Sequence, residues 1–376
     1  TRWRRRPRFS LANCKMENSE FEQRRRNVAE GLRERKLDAL LVSFSPNLRY
    51  LSGFTGSNGA LLILPGKSIL FTDPRYTIQA SQESTCTVRV GKGPLIDSVL
   101  GAIRRLGPRR IGYEPARMTC DVFEALKEKL PMRSTLTPVK GWIEELRMVK
   151  SPAELDLIRN SVLTNSLAFE RTTARLKSKI TEADLAAELE YRMRRLGAEK
   201  PSFETIVAGG ERGALPHAQP SQARLSGLVV VDMGAFQHGY ASDMTRMLHI
   251  GAPDAKAETM YRAVLEAQLA AIDAVREGVR TVAVDAAARN VLKGYGLDKL
   301  FTHSTGHGLG LEIHEPPRLG KRDKLRLKAG MAITIEPGVY LKGFGGIRIE
   351  DTIVVTKNGC EILTPTPKTL TLVQPS

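Results

Sequence analysis

Cysteine is scarce in this 376-residue chain, and the four present (Cys14, Cys86, Cys120 and Cys360) stand far apart, with no CxxC or other ligand spacing. A disulfide scaffold and a thiolate metal site are excluded, and scattered thiols fit a reduced, cytoplasmic setting. No run approaches 18 apolar residues, so no membrane-spanning helix is expected. No apolar stretch of signal-peptide type lies near the start, which predicts that the chain is not exported. RNP, zinc-finger and helix-turn-helix signatures are absent as well. The net charge of +16 therefore reads as a solvated basic surface, not as a specific nucleic-acid interface. Six basic residues (Arg2, Arg4, Arg5, Arg6, Arg8 and Lys15) and no acid fall within 1–15, leaving +10 for the remainder. That stretch lacks apolar periodicity. It is expected to be a disordered basic tail, an upstream extension ahead of a start at Met16, with a short organelle-targeting segment as the alternative.

What is present is ordinary globular composition, 41% hydrophobic and 26% charged, in a length that suggests two or three domains at about 150 residues each. From 16 to 140, helix and strand patterns alternate, which predicts a small α/β domain. A polar helix over 20–36 precedes the apolar strand 38–44. A hairpin pairs 60–64 with 68–72 across Pro65-Gly66, and further strands are expected at 85–90 and 109–113, with helices near 94–106 and 120–130. FTGSNG (54–59) and FTDPRY (71–76) read as loops of architectural character. From 141 to 376 the grammar changes. Ser151, Pro152 and Glu154 form an N-cap, first-turn proline and capping box, predicting a helix from 152 to about 176. A second helix starts at Thr181, with Asp184 three residues on, and stops at Gly197. The same pair recurs at about 255–277 and 281–293. Strand-like sequence follows each pair, suggesting an α+β domain of two related halves.

The chemistry-bearing residues lie in the strands of this second domain. LVVVDMGA (228–235) carries Asp232 in an otherwise apolar run, where a carboxylate is costly unless paired, hydrogen-bonded or bound to metal. The return strand YASDMTRML (240–248) carries Asp243. For a hairpin symmetric about 237/238 the two aspartates lie directly opposite each other and share a face. GMAITIEPGVY (330–340) and GGIRIEDTIVV (345–355) repeat the device with Glu336 and Glu350, around a turn centred on Gly343. Two anions side by side destabilise a sheet unless a cation lies between them. Between the hairpins, FTHSTGHGLGLEIHEPP (301–317) holds three of the six histidines in twelve residues, among glycines that permit close backbone approach. One imidazole with four carboxylates is an oxygen-rich donor set that suits Mn²⁺ first, with Co²⁺, Fe²⁺ or Zn²⁺ also accommodated. Four acids exceed the needs of one ion and predict two ions sharing bridging carboxylates, with a water between them acidified to a pKa of about 7.

The set D-x10-D, HSTGHGLGLEIHE, TIEPGVY and GIRIED resembles the dinuclear metallopeptidases of the pita-bread fold, the M24 family that includes methionine aminopeptidase, prolidase and aminopeptidase P. The resemblance covers nearly the whole chain, since NLRYLSGFTGSNG and FTDPRYTIQA are similar to the creatinase/prolidase-type N-terminal domain. It implies an α/β N-terminal domain joined to an α+β pita-bread catalytic domain with internal pseudo-two-fold symmetry. It also implies Asp232, Asp243, His307, Glu336 and Glu350 as metal ligands, with Asp243 and Glu350 bridging. One ion would take Asp232, Asp243 and Glu350, and the other Asp243, His307, Glu336 and Glu350. Glu336 would handle the proton of the attacking water. His217 matches an outer histidine near the substrate carbonyl or leaving group, and His314 an inner one that steadies the carbonyl and tetrahedral intermediate. Arg348, two residues from Glu350 on the same strand face, would hydrogen-bond a ligand carboxylate or anchor substrate.

The activity implied is that of an Xaa-Pro aminopeptidase, which cuts between an N-terminal residue and a following proline by way of a hydroxide held between two metal ions. Prolidase, which accepts only the dipeptide, is the alternative. Methionine aminopeptidase is disfavoured because that family lacks this N-terminal domain and the histidine at the position of His303, which is accordingly placed in the site. A catalytically inactive pita-bread binding module is the remote alternative, disfavoured because all five ligands stand. A proline-containing peptide is the expected partner, and the resemblance implies a homodimer or higher homo-oligomer.

Overall fold

Strands alternating with helices up to residue 138 close into a single six-stranded sheet. Its order is Thr87–Val90, Lys67–Thr72, Gly59–Leu64, Ala39–Val42, Arg110–Tyr113, Thr135–Pro138. The computed structural model describes residues 16–177 and 179–374, so the expectations for 1–15 lie outside the described residues. Two compact units divide between Arg147 and Met148. Among the described residues, no helix is long and apolar enough to cross a membrane.

In the first unit every neighbouring pair of strands is parallel except those that involve Gly59–Leu64. That strand enters the hairpin with Lys67–Thr72 through Pro65 and Gly66, the glycine at φ 70° as a tight turn demands. Elements not read from the sequence are the short helices Ser45–Ser52 and Thr77–Glu83 and the strand Thr135–Pro138. The last runs through a segment that reads as a connector. It lies at the sheet edge, where proline's missing N–H breaks no ladder. The two loops are tied together by Ser57 Oγ to Tyr76 OH at 2.6 Å and by Asn58 Nδ2 to Asp73 Oδ2 at 2.6 Å. Helix Trp142–Met148 packs with this unit: the Arg35 guanidinium lies over the Trp142 ring at 4.0 Å, and Arg147 donates to Asn47 at 2.6 Å.

The second unit is built twice from one plan. Helices Pro152–Thr173 and Glu182–Arg195 are started by true capping boxes at Ser151/Glu154 and Thr181/Asp184. They cover a sheet ordered Thr371–Val373, Met244–Ile250, Gly227–Met233, Ile206–Gly209. Helices Ala255–Asp273 and Thr281–Gly294 go with a five-stranded sheet whose centre is Gly306–Gly308, Ala332–Ile335 and Asp351–Thr356. Side-chain alternation then decides which residues face the middle. Val229, Val231 and Met233 pack with Leu185, Leu189 and Met193 of the first helix pair. Leu228 and Val230, and with them Asp232, point the other way. Ile333, Ile335, Ile353 and Val355 pack with Val264, Ala267 and Val284 of the second pair, which turns Thr334, Glu336, Glu350 and Thr352 inward. Each helix pair buries the opposite face of a carboxylate-bearing hairpin.

Register corrects one expectation. Asp232 pairs with Thr245, not Asp243, because the turn is the two-residue His238-Gly239, with φ 50° and 80°. Positive φ at both central positions is the turn type whose twist matches antiparallel strands. The hairpin axis therefore lies one residue further along, between 238 and 239, and the partner moves by two residues. A shift of two preserves side-chain parity, so Asp243 keeps the inward face. In the second hairpin, Ile335 pairs with Asp351 and Gly338 with Arg348, the register that sets Glu336 against Glu350.

Ser151→Ala removes the cap of a 22-residue helix whose buried face includes Leu157, Ile158 and Val162. It is expected to cost about 1 kcal/mol and to lower the melting temperature of this unit by about 2–4 °C, with metal content unchanged. Calorimetry checks the shift, and an unchanged melting temperature would show that the cap is redundant.

Candidate active site

Asp232, Asp243, His307, Glu336 and Glu350 come together in the wall of one cleft of about 840 Å³, which His217, His303, His314, Arg318 and Arg348 also line. Their backbones arrive at places where the ladders break. Glu336 N–H donates to Thr305 C=O at 2.8 Å, and Glu350 N–H reaches across to Thr245 C=O of the other hairpin at 3.3 Å. Thr352 Oγ1 donates to the carbonyl of Asp243 at 2.8 Å. The two hairpins are thus stitched to each other at the carboxylate-bearing residues.

The donor set fits divalent cations. Single ligand atoms of Asp243, His307 and Glu350 lie within 4.8 Å of one another. His307 Nε2 stands 3.6 Å from Asp243 Oδ2 and 3.4 Å from Glu336 Oε1. Its Nδ1 is 3.0 Å from the Gly308 carbonyl. A carbonyl only accepts, so Nδ1 carries the proton and Nε2 turns a bare lone pair towards the carboxylates, as a metal-ligating imidazole requires. Asp232 Oδ1 and Glu350 Oε1 are buried with no hydrogen-bond partner among the described residues. Carboxylate oxygens in that condition are costly unless a cation takes their lone pairs.

The remaining oxygens are held. Arg348 Nη2 donates to Asp232 Oδ2 at 2.6 Å, and its Nε donates to Thr245 Oγ1 at 3.1 Å. Thr245 in turn donates to Glu350 Oε2 at 2.8 Å. Arg348 Nη1 donates to Tyr340 OH at 2.6 Å and to the Pro216 carbonyl at 3.2 Å. The Tyr340 hydroxyl lies 2.8 Å from His303 Nε2, while His303 Nδ1 donates to Ser304 C=O. Proton inventory orders this chain: Arg348 donates to Tyr340, and Tyr340 donates to His303. Arg348 spends its guanidinium on Asp232 and its neighbours. His303 meets a tyrosine and a carbonyl, so its contacts are with the frame of the cleft.

His314 is exposed on the cleft and packs edge-on against His307, ring centroids 4.4 Å apart. Glu315, the next residue, points inward and is buried against Lys150 Nζ at 3.3 Å. His217 is exposed on the loop after Ile206–Gly209. A second buried guanidinium, Arg246, donates to the carbonyls of Thr245, Glu350, Thr366 and Pro367 and to Asp351 Oδ1 at 2.7 Å. It joins both hairpins to the chain's last segment.

Crowding shows in the acid–base properties. Burial, and then the charges of Glu350, Asp232 and Glu336, hold Asp243 well above the usual carboxylate range. Glu350 is raised in the same way by burial and by Glu336 and Asp232. Glu336 is pushed up to about 7 by burial, with Arg348 opposing. Burial, then the neighbouring His314, lowers His307 to about 4, which keeps it neutral and available as a ligand. Burial alone would lower Arg348, but Tyr340, Asp232, Glu336 and Glu350 outweigh it and keep it charged.

Residues 156–357, more than half of the chain, match the model of metallopeptidase family M24, and residues 24–149 match the creatinase/prolidase N-terminal domain. The chain belongs to the M24 metallopeptidases, hydrolases of the pita-bread fold that use divalent metal ions. It is 36% identical to an Xaa-Pro dipeptidase of Pyrococcus horikoshii over 92% of this chain and 97% of that protein. The solved structure of an Xaa-Pro dipeptidase from Bacillus anthracis superposes with a TM-score of 0.91 at 36% identity, covering 94% of this chain and all of that one. An X-Pro aminopeptidase from Thermotoga maritima gives 0.85 at 36%, covering 90% and 99%. Membership of this family sets aside the inactive-module reading.

A pH dependence follows for the metal-stripped protein. Glu336 sits near 4.5 when unfolded and about 7 when folded. The folded state holds its proton more tightly, so this contribution to stability is fully present below the unfolded value and is lost as the pH rises through 7. Asp243 and Glu350 act in the same sense. In chelator the melting temperature should fall between about pH 5 and pH 8, and added divalent metal should reverse the fall at the upper end. A melting temperature that rose over this range without metal would contradict the crowded-carboxylate reading.

Proposed function

We propose that the chain is an Xaa-Pro dipeptidase, a prolidase, holding two divalent ions on Asp232, Asp243, His307, Glu336 and Glu350. The observation that carries the metal assignment is the convergence of these five side chains, with buried oxygens on Asp232 and Glu350 that have no partner among the described residues. One imidazole among four carboxylates favours Mn²⁺, with Co²⁺, Zn²⁺ or Fe²⁺ as substitutes. The N-terminal loops lean towards an aminopeptidase. The names borne by the relatives favour the dipeptidase, which moves the reading to that side. The aminopeptidase stays as the second reading because the Thermotoga maritima enzyme is equally identical to this chain. A proline-containing peptide is the substrate class, and a cytoplasmic homodimer or higher homo-oligomer is the expected form.

When bound, the ions supply Lewis acidity for the scissile carbonyl and a water acid enough to attack at neutral pH. The chain's residues do the rest. Glu336, partly open to the cleft, takes the proton of the water and returns it to the departing proline nitrogen. His314, beside His307 and exposed, donates to the carbonyl oxygen as charge develops there, and His217 holds the leaving imino group. Arg348 keeps Asp232 oriented. An amide bond to proline has no N–H, and nothing in this arrangement needs one.

His307→Ala is expected to lower metal content itself. His314→Ala should keep its metal and lose about 10²–10³-fold in kcat. Metal analysis beside kinetics on both variants checks this, and a His314→Ala enzyme with normal kcat would remove that residue from the reaction. Length preference is read by comparing Gly-Pro or Ala-Pro with Ala-Pro-Ala. Turnover confined to the dipeptides supports the dipeptidase, whereas faster release of the first residue of the tripeptide returns the reading to the aminopeptidase.

A further inference from the structure

Glu182 is a fully buried carboxylate that does not line the cleft and takes no part in the reaction described above. It is the first residue of helix Glu182–Arg195, but it does not cap that helix, because Thr181 and Asp184 already form the capping box. Its donors all come from elsewhere. Oε1 accepts from Gly209 N at 2.8 Å, and Oε2 from Ser221 N at 3.0 Å and Ser221 Oγ at 2.6 Å. Arg212 Nε reaches both oxygens, at 3.2 and 3.0 Å, and Arg212 Nη2 goes on to the Gln219 carbonyl at 2.6 Å. Gly209 and Ser221 are the two ends of the loop that carries Pro216 and His217 into the cleft. One carboxylate therefore closes the loop at its base.

The crown of the loop is fixed from the opposite side. Arg348, already on Asp232, donates from Nη1 to the Pro216 carbonyl at 3.2 Å. The turn Gly210–Ala214 lies so close to the strand Gly345–Arg348 that a Cβ on Gly346 would strike the Gly213 carbonyl. Between these anchors His217 itself is exposed. A loop of this length loses a histidine's alignment readily unless its ends are held, since the ordering entropy is otherwise unpaid at the moment of reaction.

We propose that Glu182 is a positioning residue for His217, acting only through the loop 209–221. The inference rests on the role given to His217 in the proposed function. A carboxylate is required because each oxygen faces N–H donors. A glutamine amide, in either orientation, would set its own NH₂ against Gly209 N–H or Ser221 N–H and free one end of the loop.

The test uses the full chain loaded with metal. Glu182→Gln should keep its metal content, show faster deuterium uptake in peptides spanning 209–221, and lose about ten- to a hundredfold in kcat/KM on an Xaa-Pro dipeptide. In a His217→Ala background the same substitution should cost less than about twofold, because the group it positions is gone. Ser221→Ala, which deletes one hydroxyl donor, should show the same coupling at smaller size and serves if Glu182→Gln does not fold. Equal losses in both backgrounds, or unchanged exchange in the loop, would overturn the proposal. If His217→Ala alone retained normal kcat/KM, the role of His217 in the proposed function would fall and this positioning role with it. That failure shows in the single variant, before Glu182 is touched.

Discussion

Four carboxylates directed into one cleft repel one another, and the fold around them is arranged to keep them there. None can turn away, because the strand alternation that aims them inward also buries Val231, Ile335 or Ile353 on the other face. Relief comes from hydrogen-bond donors, one cationic and one neutral. Arg348 takes one oxygen of Asp232, and the hydroxyl of Thr245 takes one of Glu350. The oxygens left over are those that face the space between the hairpins. Neighbours that satisfied every lone pair would leave no site for an ion, and neighbours that satisfied none would drive the acids to their neutral forms. The observed division leaves donors for metal on both hairpins.

The pairing across the pseudo-two-fold is as important as either hairpin. Each half has the same parts, and neither holds all four of the cleft's carboxylates. The crossing bonds from Glu350 N–H to Thr245 C=O and from Thr352 to the Asp243 carbonyl set how far apart the two carboxylate pairs stand. Small adjustments in one half are therefore felt as changes in distance to the other half's ligands, the quantity on which a shared ion depends.

Much of this was legible in the residues alone, because the relevant signals are local. An acid within an apolar strand, repeated on the return strand and then repeated again, needs no tertiary knowledge to be noticed. Capping boxes at Ser151 and Thr181 likewise announce themselves within four residues. The misplaced register of the first hairpin shows the limit. His238-Gly239 is a turn because both residues adopt positive φ, and a histidine does not advertise that conformation. Parity survived the error, so the acids were still placed on the right face. Partners distant in sequence were invisible: Thr245 with Glu350, Lys150 with Glu315, Glu182 with Gly209 and Ser221. Nor does spacing alone separate His307 from His303 and His314. What distinguishes it from His303 is the direction of Nε2, which faces Asp243 and Glu336 in His307 and the Tyr340 hydroxyl in His303.

Arg246 carries a consequence for the order in which the molecule comes into being. Its guanidinium gathers acceptors from residues 245, 350, 351, 366 and 367, so the support beneath both hairpins is complete only once the chain has been synthesised past residue 367. The first unit, whose sheet uses residues 39–138, has all its partners long before then and can fold while the ribosome is still at work. The catalytic half cannot close its frame in that way. Its defining contacts join segments more than a hundred residues apart, which makes it the slower half to form. A nascent chain therefore carries a finished N-terminal unit and an unsupported pair of hairpins until residues 366 and 367 have been made and are in place.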